Sequence, residues 1–345
     1  METKSVIGGE FDIDHCSLEN TSNSSFLKIK SHYTYSSGRA ALYHILKSCQ
    51  NVFSADIVYL PDYLCSTIID SVEQAGMAYD FYSINNLNVS YADLQNIQEG
   101  VILLIDYQGV VDNELLVKEL KMKRPDLIII KDLVQAPFHL NETSLADYQF
   151  TSFRKALPVP DGSWVITKHP MIQPVAPSRF SEYKLAASLL KSNRSLGYYN
   201  DKVYLELYER GEEMIDSDIA DYDMSDYSRT YLEKLDWNRI AEIRKRNASQ
   251  IIEGVLSLGI NTLAPISKDA VPLFVPIWLE NRDKVRKAMF AHNIFLPVHW
   301  PIEKCSDRLR SGASYAKHEL SIIVDHRYDD QDMNRILDIL EKYYK

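Results

Sequence analysis

The chain has 345 residues, of which 46% are hydrophobic and 25% are charged, so it is long enough for one large domain and a second, smaller one. Its formal net charge of −10 argues against a broad surface for nucleic acid or anionic membrane, but a local basic site for one phosphate is compatible with it. No apolar run approaches the roughly 20 residues of a membrane-spanning helix, and the polar N-terminus predicts no signal peptide.

The cysteines are too scattered for a disulfide framework or a zinc site. They stand at Cys16, Cys49, Cys65 and Cys305, and no two of them form a CxxC pair. Thiols without such a pattern are typical of reducing compartments. We therefore expect a cytoplasmic protein that has neither disulfides nor a metal site.

Short apolar runs alternate with amphipathic stretches in the first half of the chain. Strands are predicted at Ile57–Leu60, Ala78–Ile84, Val101–Asp106, Leu127–Ile130 and Trp164–Thr167. Helices are predicted from Ser36 onward and at Thr67–Ala75, Tyr91–Ile97 and Glu114–Met122. Continuous apolar strands separated by helices indicate a mainly parallel sheet with both faces covered. Ligands of such sheets bind at the carboxyl ends of the strands.

The second half predicts a smaller α+β unit. The segment from Ser181 to Asp236 is polar and rich in tyrosine, which fits a bridge between domains, a lid or a subunit contact. Beyond it, helices are predicted at Trp237–Leu256, Arg282–His292 and Asp330–Tyr344, and strands at Leu273–Trp278, Ile294–Val298 and Leu320–Val324. We assign residues 30–236 to a large domain, and residues 1–29 and 237–345 to a small one.

The motif Ser152-Phe153-Arg154-Lys155 is the first of three that point to a cofactor. The amine of one lysine can hold pyridoxal 5′-phosphate (PLP) as a Schiff base and then move a substrate proton. A serine three residues earlier can lie on the same side of a tight turn and bind the phosphate of the cofactor. Taken alone the motif is weak, because most lysines are solvated surface residues.

The second motif is Ser37-Gly38-Arg39, at the start of a helix whose apolar face carries Leu42 and Ile45. Free backbone N–H groups and the helix dipole favour a phosphate at such an N-terminus. A plain N-cap by serine is the alternative. The GxxxxGK[ST] pattern of nucleoside triphosphate-binding loops is missing.

The third motif is Asp132, which follows the strand Leu127–Ile130 and precedes Gln135 by three residues. A carboxylate at the end of a buried strand is costly unless it has a partner. Under a PLP ring, Asp132 would pair with the ring N–H and keep the ring an electron acceptor. A helix N-cap is the alternative role for the aspartate.

In their order and spacing, these motifs resemble the DegT–StrS family of PLP-dependent sugar aminotransferases. The resemblance runs nearly end to end. Its further segments are Leu60–Thr67, Tyr107-Gln108-Gly109, Lys131–Ala136, Arg244–Ala248 and Val298–Pro301. The family implies the aspartate-aminotransferase fold (PLP fold type I): an α/β large domain with a mainly parallel seven-stranded sheet covered by helices, and a small α+β C-terminal domain.

The resemblance also implies roles for individual residues. Lys155 is the Schiff-base lysine and Asp132 the partner of the ring nitrogen, so these two are the catalytic candidates. The other cofactor-binding candidates are Gln135 beside the ring oxygen O3′, Ser37, Gly38, Arg39 and Ser152 at the phosphate, and Cys65 or Tyr63 where the family stacks an aromatic on the ring.

Two residues of the second half are substrate candidates. His299 either contacts substrate or is a buried histidine bonded to backbone. Arg327 either binds the α-carboxylate of an amino donor, which suits its planar guanidinium, or forms a salt bridge with Asp329 or Asp330.

Three positions depart from the family pattern. Ser152 stands three residues before the lysine instead of five, Pro160-Asp161-Gly162-Ser163 replaces a glycine pair, and Cys65 takes the closest register to the aromatic. The resemblance implies transfer of an amino group from an amino acid, glutamate first among them, to a keto-sugar nucleotide in the biosynthesis of surface polysaccharide or a related sugar. It also implies a homodimer with the active site at the interface. Another PLP-dependent lyase or dehydratase reaction, or a non-catalytic binding or regulatory role, stays open.

Overall fold

A seven-stranded sheet forms the centre of the computed structural model, which describes residues 6–13, 29, 32–193, 200–217, 222–301 and 307–344. Its strands are β2 (Tyr33–Tyr35), β3 (Ile57–Pro61), β4 (Ala78–Tyr82), β5 (Gly100–Ile105), β6 (Leu127–Asp132), β7 (Tyr148–Phe150) and β8 (Ser163–Thr167). The spatial order is β2-β8-β7-β6-β5-β3-β4, and β8 runs antiparallel to both of its neighbours. The fold class predicted from the sequence is confirmed.

The central strands β5 and β6 are buried along their length, as their continuous apolar sequences predict. Their parallel register pairs Gly100 with Leu127 and ends with Ile105 opposite Asp132. The predicted strand Leu127–Ile130 therefore extends two residues further and includes Asp132. This register places the Asp132 carboxyl group at the carboxyl edge of the sheet, where ligands of parallel sheets bind.

Helices cover the sheet with the limits expected from the sequence to within a few residues. They are α1 (Gly38–Phe53), α2 (Ser66–Ala75) and α3 (Glu114–Lys123). The Ser37 side chain caps α1, and Gly76 ends α2 with a φ of 73°, in the left-handed region that favours glycine. The helix predicted at Tyr91–Ile97 is a single 3₁₀ turn, Tyr91–Leu94.

Three helices make up the polar segment that follows the sheet: α4 (Arg179–Ser192), α5 (Asp201–Ser217) and α6 (Asp226–Lys234). Helices α4 and α5 share a small apolar cluster of Ala187, Tyr204 and Tyr208. Helix α5 continues along the carboxyl edge of the sheet, and its last turns reach the residues described below.

The remaining elements are α7 (Trp237–Ser257), β9 (Phe274–Trp278), α8 (Arg282–Ala291), β10 (Ile294–Phe295), α9 (Arg310–His318), β11 (Glu319–Ile323) and α10 (Asp330–Tyr343). All of them except α9 contribute to a second hydrophobic core, whereas Tyr315 of α9 belongs to the core around the seven-stranded sheet. Strand β9 pairs with β11 antiparallel, and β10 pairs with an N-terminal strand, β1 (Ile7–Gly8). Ile7 thereby joins this second core, although the domain limits at residues 29 and 236 stay a prediction.

Cys49 and Cys65 are free thiols, whereas Cys16 and Cys305 lie outside the described residues. Among the helices described, none combines the length and the apolar character needed to cross a membrane.

Candidate active site

A cavity of about 100 Å³ lies between the carboxyl ends of β5, β6 and β7 and the N-terminus of α1. Eight of the nine cofactor-binding candidates line it. These are Ser37, Gly38, Arg39, Cys65, Asp132, Gln135, Ser152 and Lys155. The topology thus brings together residues that are up to 118 positions apart in the chain, the distance from Ser37 to Lys155.

The N-terminus of α1 forms the anion-binding end of this cavity. The Ser37 hydroxyl accepts a hydrogen bond from the Ala40 N–H at 3.2 Å, and no acidic residue occupies the first turn. A Cβ atom on Gly38 would lie 3.0 Å from Val134 Cγ2 and 3.2 Å from Ser152 Cβ, so a larger residue would crowd the cavity wall. The free N–H groups of this turn and the helix dipole suit a phosphate.

Arg39 lines the cavity, but its side chain is engaged elsewhere. Its guanidinium lies 2.6 Å from Asp216 Oδ1 on α5. No local sequence pattern predicts this ion pair, because its two residues are 177 positions apart. Within Arg39, the group best placed to bind an anion is the backbone N–H, which lies in the first turn of α1.

Asp132 ends β6 as a buried carboxyl group, with only 4% of its surface exposed. Its Oδ1 accepts the Val134 N–H at 2.9 Å. Burial raises the pKa of Asp132 to about 6, while that hydrogen bond and the charge of Lys155 act in the opposite direction. Both Asp132 and Lys155 face one cavity, so a ligand between them can pair with each.

Lys155 ends the short 3₁₀ helix Phe153–Lys155, which Ser152 precedes without capping it. Its side chain is exposed to the cavity rather than packed against neighbours, yet protein encloses the cavity around it. Burial lowers the pKa of Lys155, and the nearby Cys65 and Asp132 only partly oppose this. A lysine with a lowered pKa has more of its amine in the neutral, nucleophilic form.

The Gln135 side chain is held in place by a neighbouring loop. Its Oε1 accepts the backbone N–H of Gln108 at 3.0 Å, and Gln108 itself adopts the left-handed conformation with a φ of 54°. The amide nitrogen of Gln135 is the group left to donate toward a ligand. Gln135 lines this first cavity and also a second one beside it.

Tyr63 is not among the residues that line the cavity, whereas Cys65, the alternative for the same role, lines it. The Tyr63 hydroxyl donates to the His299 carbonyl, and its ring packs 5.0 Å from the ring of Trp300 and 5.7 Å from that of Tyr107. Trp300 also lines the cavity, and Tyr63 packs against it. Trp300 was not among the residues predicted from the sequence.

A second cavity, of about 530 Å³, opens on the other side of Lys155. Gln135, Arg154 and Lys155 line both cavities, so the two are adjacent at the lysine. Both substrate candidates, His299 and Arg327, line the second cavity. Further parts of its wall come from Gly9–Phe11, from α8 and the segment that follows it, and from Arg244, Phe274 and Asp325.

His299 combines the two roles considered for it, since it faces the second cavity and is also hydrogen-bonded within the fold. Its Nδ1 lies 2.8 Å from Ser321 Oγ, and its backbone N–H donates to Glu319 Oε2 at 2.7 Å. Burial lowers the pKa of His299 to about 3, and the charge of Lys155 adds to this. The imidazole is therefore neutral at physiological pH.

Arg327 is paired with Asp325, so the predicted salt bridge with Asp329 or Asp330 is wrong. Its Nε and one terminal nitrogen lie 2.9 and 2.8 Å from the two Asp325 oxygens. The other terminal nitrogen donates to the carbonyls of Gly9 and Glu10, both at 3.2 Å. A guanidinium with these partners fixes the N-terminal segment in the cavity wall.

Arg154 lies where the two cavities meet, and Glu212 on α5 is its partner. The two side chains make contacts of 2.7 and 3.3 Å. Burial acts to raise the pKa of Glu212, but the charges of Arg154 and Lys184 keep it below its usual value. Lys184 contacts the same carboxylate from α4, so Glu212 has two cationic partners.

One group of possible metal ligands, Asp106, Asp112 and His139, occurs in the described part of the chain. The ammonium of Lys131 lies 3.4 Å from Asp106 and 3.2 Å from Asp112, and Glu114 is also 3.2 Å away. The lysine thus supplies the positive charge that these carboxylates need. The cluster is an ion-pair network that joins the ends of β5 and β6 to the start of α3, with Lys131 and Asp106 buried and Asp112 exposed.

No protein-family model and no curated protein matches the sequence. Solved structures do match. DesV of S. venezuelae, in complex with a ketimine intermediate, aligns over 92% of this chain and 86% of its own with 17% identity and a TM-score of 0.65. A DegT DnrJ EryC1 StrS aminotransferase from Brucella abortus aligns over 93% and 87% with 14% identity and a TM-score of 0.62.

A third match is Spr1654 from Streptococcus pneumoniae in its PLP form, which aligns over 90% of this chain and 86% of its own, with 17% identity and a TM-score of 0.64. At this level of identity the matches establish the fold. The chain thus has PLP fold type I, in the form found in DegT/DnrJ/EryC1/StrS sugar aminotransferases.

Proposed function

We propose that the protein is a PLP-dependent aminotransferase that moves an amino group from an amino acid, with glutamate as the first candidate, to a keto-sugar nucleotide. One observation carries the proposal: Lys155, Asp132 and the N-terminus of α1 line a single cavity at the carboxyl edge of the sheet. An aldehyde, a protonated ring nitrogen and a phosphate are the three groups of PLP that these residues complement. The fold supports it, because the sugar aminotransferases Spr1654 and CalS13 have a similar fold.

The residues present fit PLP. Gly38 leaves room for a phosphate where a Cβ atom would approach Val134 and Ser152, and the first turn of α1 supplies N–H donors. Asp132 is a buried carboxyl group with one oxygen bonded to the Val134 N–H. Gln135, Cys65 and Trp300 complete the walls of the cavity. We assign Ser37, Gly38, the Arg39 N–H and Ser152 to the phosphate and Lys155 to the aldehyde.

When bound, PLP supplies an aldehyde that can take up an amino group and a ring that accepts electrons. Lys155 would hold the cofactor through its amine, and the same amine, when free, would move a proton from the substrate Cα. Asp132 would accept a hydrogen bond from the ring N–H and keep the ring nitrogen protonated. The neutral His299 faces the second cavity, so it can hydrogen-bond a substrate without adding charge.

The first experiment is a PLP titration followed by the amino-donor half-reaction. We expect the purified wild type to show the visible absorbance band of lysine-bound PLP and Lys155→Ala to lack it. Addition of glutamate should bleach the band and release one keto acid per bound cofactor. In Lys155→Ala, loss of the amine that moves the proton should slow the half-reaction by about 10²-fold or more. Lys168→Ala, at an exposed lysine outside both cavities, is the matched control.

Three outcomes would contradict the proposal. A wild type without the band excludes PLP, and a band that survives in Lys155→Ala excludes Lys155 as its attachment. PLP binding without a half-reaction from any amino acid favours the non-catalytic alternative. Turnover of substrate without stoichiometric keto acid favours a lyase or dehydratase.

We further propose that the protein acts as a cytoplasmic homodimer with its active site at the subunit interface. The resemblance to the DegT–StrS family supports this assembly. Light scattering on the purified chain should give twice the mass of one chain, and a monomeric mass at micromolar concentration would refute the dimer.

A further inference from the structure

A fully buried glutamate and serine lie behind His299, the histidine that faces the second cavity. Glu319 and Ser321 are two positions apart on β11, so their side chains leave the same face of the strand. Neither is among the residues that line the two cavities. The chemistry assigned to Lys155 and Asp132 does not use them, so their role needs another explanation.

The side chains of Glu319, Ser321 and His299 form a chain of hydrogen bonds. Glu319 Oε2 accepts the backbone N–H of His299 at 2.7 Å, and Glu319 Oε1 is hydrogen-bonded to the Ser321 hydroxyl. The Ser321 Oγ lies in turn 2.8 Å from His299 Nδ1. Within the described part of the chain, no protein group bonds the second ring nitrogen of His299, Nε2. Nε2 is therefore the ring atom left for a ligand.

The direction of these hydrogen bonds depends on the proton of Glu319. Burial raises the pKa of Glu319 to about 8, so the acid keeps its proton at neutral pH. From Oε1 that proton is donated to Ser321 Oγ, and the Ser321 hydroxyl then donates to His299 Nδ1. The amide nitrogen of Gln108, which can only donate, lies 3.3 Å from both of these atoms. Because Nδ1 accepts, the neutral ring carries its proton on Nε2.

We propose that Ser321 and Glu319 are positioning residues that keep the ring proton of His299 on Nε2, so that His299 donates a hydrogen bond to an oxygen of the substrate beside Lys155. This inference rests on the proposed function. An amino acid and a keto sugar both carry oxygen next to the carbon that reacts at the lysine. His299 and Lys155 line the same cavity, so a substrate there is within the reach of a donor on His299.

Loss of the Glu319 proton reverses the hydrogen bonds of the chain. The Ser321 hydroxyl then donates to Glu319 Oε1, and Ser321 Oγ accepts from His299 Nδ1. The ring stays neutral, since burial lowers the pKa of His299 to about 3, and its one proton moves from Nε2 to Nδ1. In total one proton leaves the protein. His299 thereby changes from a donor to an acceptor at the atom that faces the substrate.

Three other charged or titratable groups act on this chain. Arg282 of α8 donates to the Glu319 carbonyl at 3.0 Å, and its charge opposes the effect of burial on the pKa of Glu319 without overcoming it. The Tyr63 hydroxyl donates to the His299 carbonyl, and burial raises its pKa well above the usual range, so it stays neutral. The charge of Lys155 adds to the lowering of the pKa of His299. All three are kept in Glu319→Gln, so a difference between this variant and the wild type reports Glu319 alone.

The first test is nitrogen NMR of the PLP-loaded protein labelled at histidine, because nitrogen shifts distinguish a protonated from an unprotonated ring nitrogen. His299→Gln identifies the signals of His299. In the wild type we expect the proton on Nε2 at about pH 6.5 and on Nδ1 at about pH 9.5, on either side of the pKa of Glu319. Glu319→Gln should keep Nε2–H at both pH values, since its amide nitrogen donates in place of the acid proton. In Ser321→Ala the position of the proton should not depend on pH.

Glu280→Gln is the matched control. Glu280 is an exposed acid that lies 3.3 Å from Nε2 of another histidine, His318. In this variant His299 should change its protonated nitrogen with pH as in the wild type. A wild-type His299 that carries its proton on one nitrogen at both pH values would overturn the inference. A doubly protonated ring at about pH 6.5 would also overturn it, by showing an ion pair with Glu319.

The second test is the pH dependence of the amino-donor half-reaction. Between about pH 7 and about pH 9.5 the wild-type KM for glutamate should rise by about fivefold more than that of Glu319→Gln, with kcat little changed, because one hydrogen bond to the bound substrate is lost. An equal rise of KM in both proteins would refute the donor role of His299.

The two tests also separate this inference from the proposed function. A wild type that completes the half-reaction while His299 keeps one protonated nitrogen retains the aminotransferase proposal and loses the role of Ser321 and Glu319. A wild type in which the proton of His299 moves with pH, but which fails the half-reaction with every amino acid, keeps the hydrogen-bond chain and loses both the aminotransferase and the substrate contact.

Discussion

At the scale of single residues, Asp132 shows how the proposed chemistry and the stability of the fold oppose each other. The pKa of this carboxyl group is raised by burial from 3.8 to about 6. Folding therefore favours the protonated form, and the unfolding free energy falls as the pH rises from about 4 through about 6. Above that range a charged carboxylate is kept in the cavity. A protonated ring nitrogen is the partner that would offset this cost.

Asp132→Asn removes the charge and keeps an oxygen for the Val134 N–H. Without cofactor, we expect the variant to be more stable than the wild type by about 2 kcal/mol at pH 8, and by much less at pH 4.5. Urea unfolding at both pH values measures this difference. The same variant should lose most of the amino-donor half-reaction. A stability gain that is equal at the two pH values would contradict titration of Asp132.

Glu319 is a second buried acid, and its pKa is raised by burial to about 8. It accepts the His299 N–H at 2.7 Å and is hydrogen-bonded to the Ser321 hydroxyl. At pH 7 the folded protein keeps Glu319 mainly protonated, whereas the unfolded chain ionises it, so Glu319→Gln should raise the unfolding free energy, by up to about 3 kcal/mol. Glu319→Ala leaves these groups unpaired and should be about 1–3 kcal/mol less stable than Glu319→Gln.

The pH profile supplies an independent check on Glu319. Wild-type stability should fall as the pH rises from about 4.5 to about 8, because over this range the folded state keeps a proton that the unfolded state has lost. Glu319→Gln should lack this particular fall. A parallel decline in both proteins between pH 6 and 8 would show that another group is responsible.

At the scale of elements, two adjacent residues at the start of α1, both assigned to the phosphate, differ in what they contribute to stability. Gly38→Ala adds a methyl group 3.0 Å from Val134 Cγ2, and alanine favours helix. We expect it to weaken PLP binding by about tenfold with little loss of stability. Ser37→Ala removes the cap and should cost about 1 kcal/mol of unfolding free energy. Equilibrium dialysis with PLP and urea unfolding, performed on both variants, test the contrast; unchanged PLP affinity in Gly38→Ala would refute the phosphate site.

The sequence predicted long elements better than short ones for a physical reason. Strands such as β5 and β6 are buried on both faces and have continuous apolar sequences. Strands β2 and β7 have three residues each, too few for a period to show, and long-range pairing alone makes them strands. Helix α9 is polar and contains Gly312, whose close approach to the Asp62 carbonyl depends on the tertiary fold.

The same distinction holds for the candidate site. Lys155, Asp132 and Ser37 could be proposed because each stands in a local motif. Lys155 lies in a turn, Asp132 at a strand end and Ser37 at a helix start. Trp300 at the cavity and the pairing of Arg39 with Asp216 depend on contacts between distant segments. The partner of Arg327 could not be predicted from the sequence either, although it is close in the chain. Several aspartates flank Arg327, and only the backbone geometry determines that Asp325 pairs with it.

At the scale of the whole molecule, ion pairs connect α5 to residues that line the two cavities. Asp216 holds Arg39, and Glu212 holds both Arg154 and Lys184. Lys184 in turn reaches Glu10, whose backbone carbonyl also accepts from Arg327. The N-terminal segment, α4, α5 and the C-terminal elements are thus linked around the site. A ligand in the first cavity therefore contacts elements that these ion pairs connect to the rest of the described fold.

This arrangement predicts that PLP stabilises the chain as a whole. Ligand that binds only the folded state adds about 2.7 kcal/mol at 100 times its Kd, which should move the urea midpoint upward. Lys155→Ala retains the phosphate and ring contacts but not the covalent bond, so it should gain less at the same PLP concentration. Inorganic phosphate contacts only the α1 end and should give the smallest gain. Equal stabilisation by phosphate and PLP would mean that the ring adds nothing, because Asp132 and Trp300 would then contribute no contact to it.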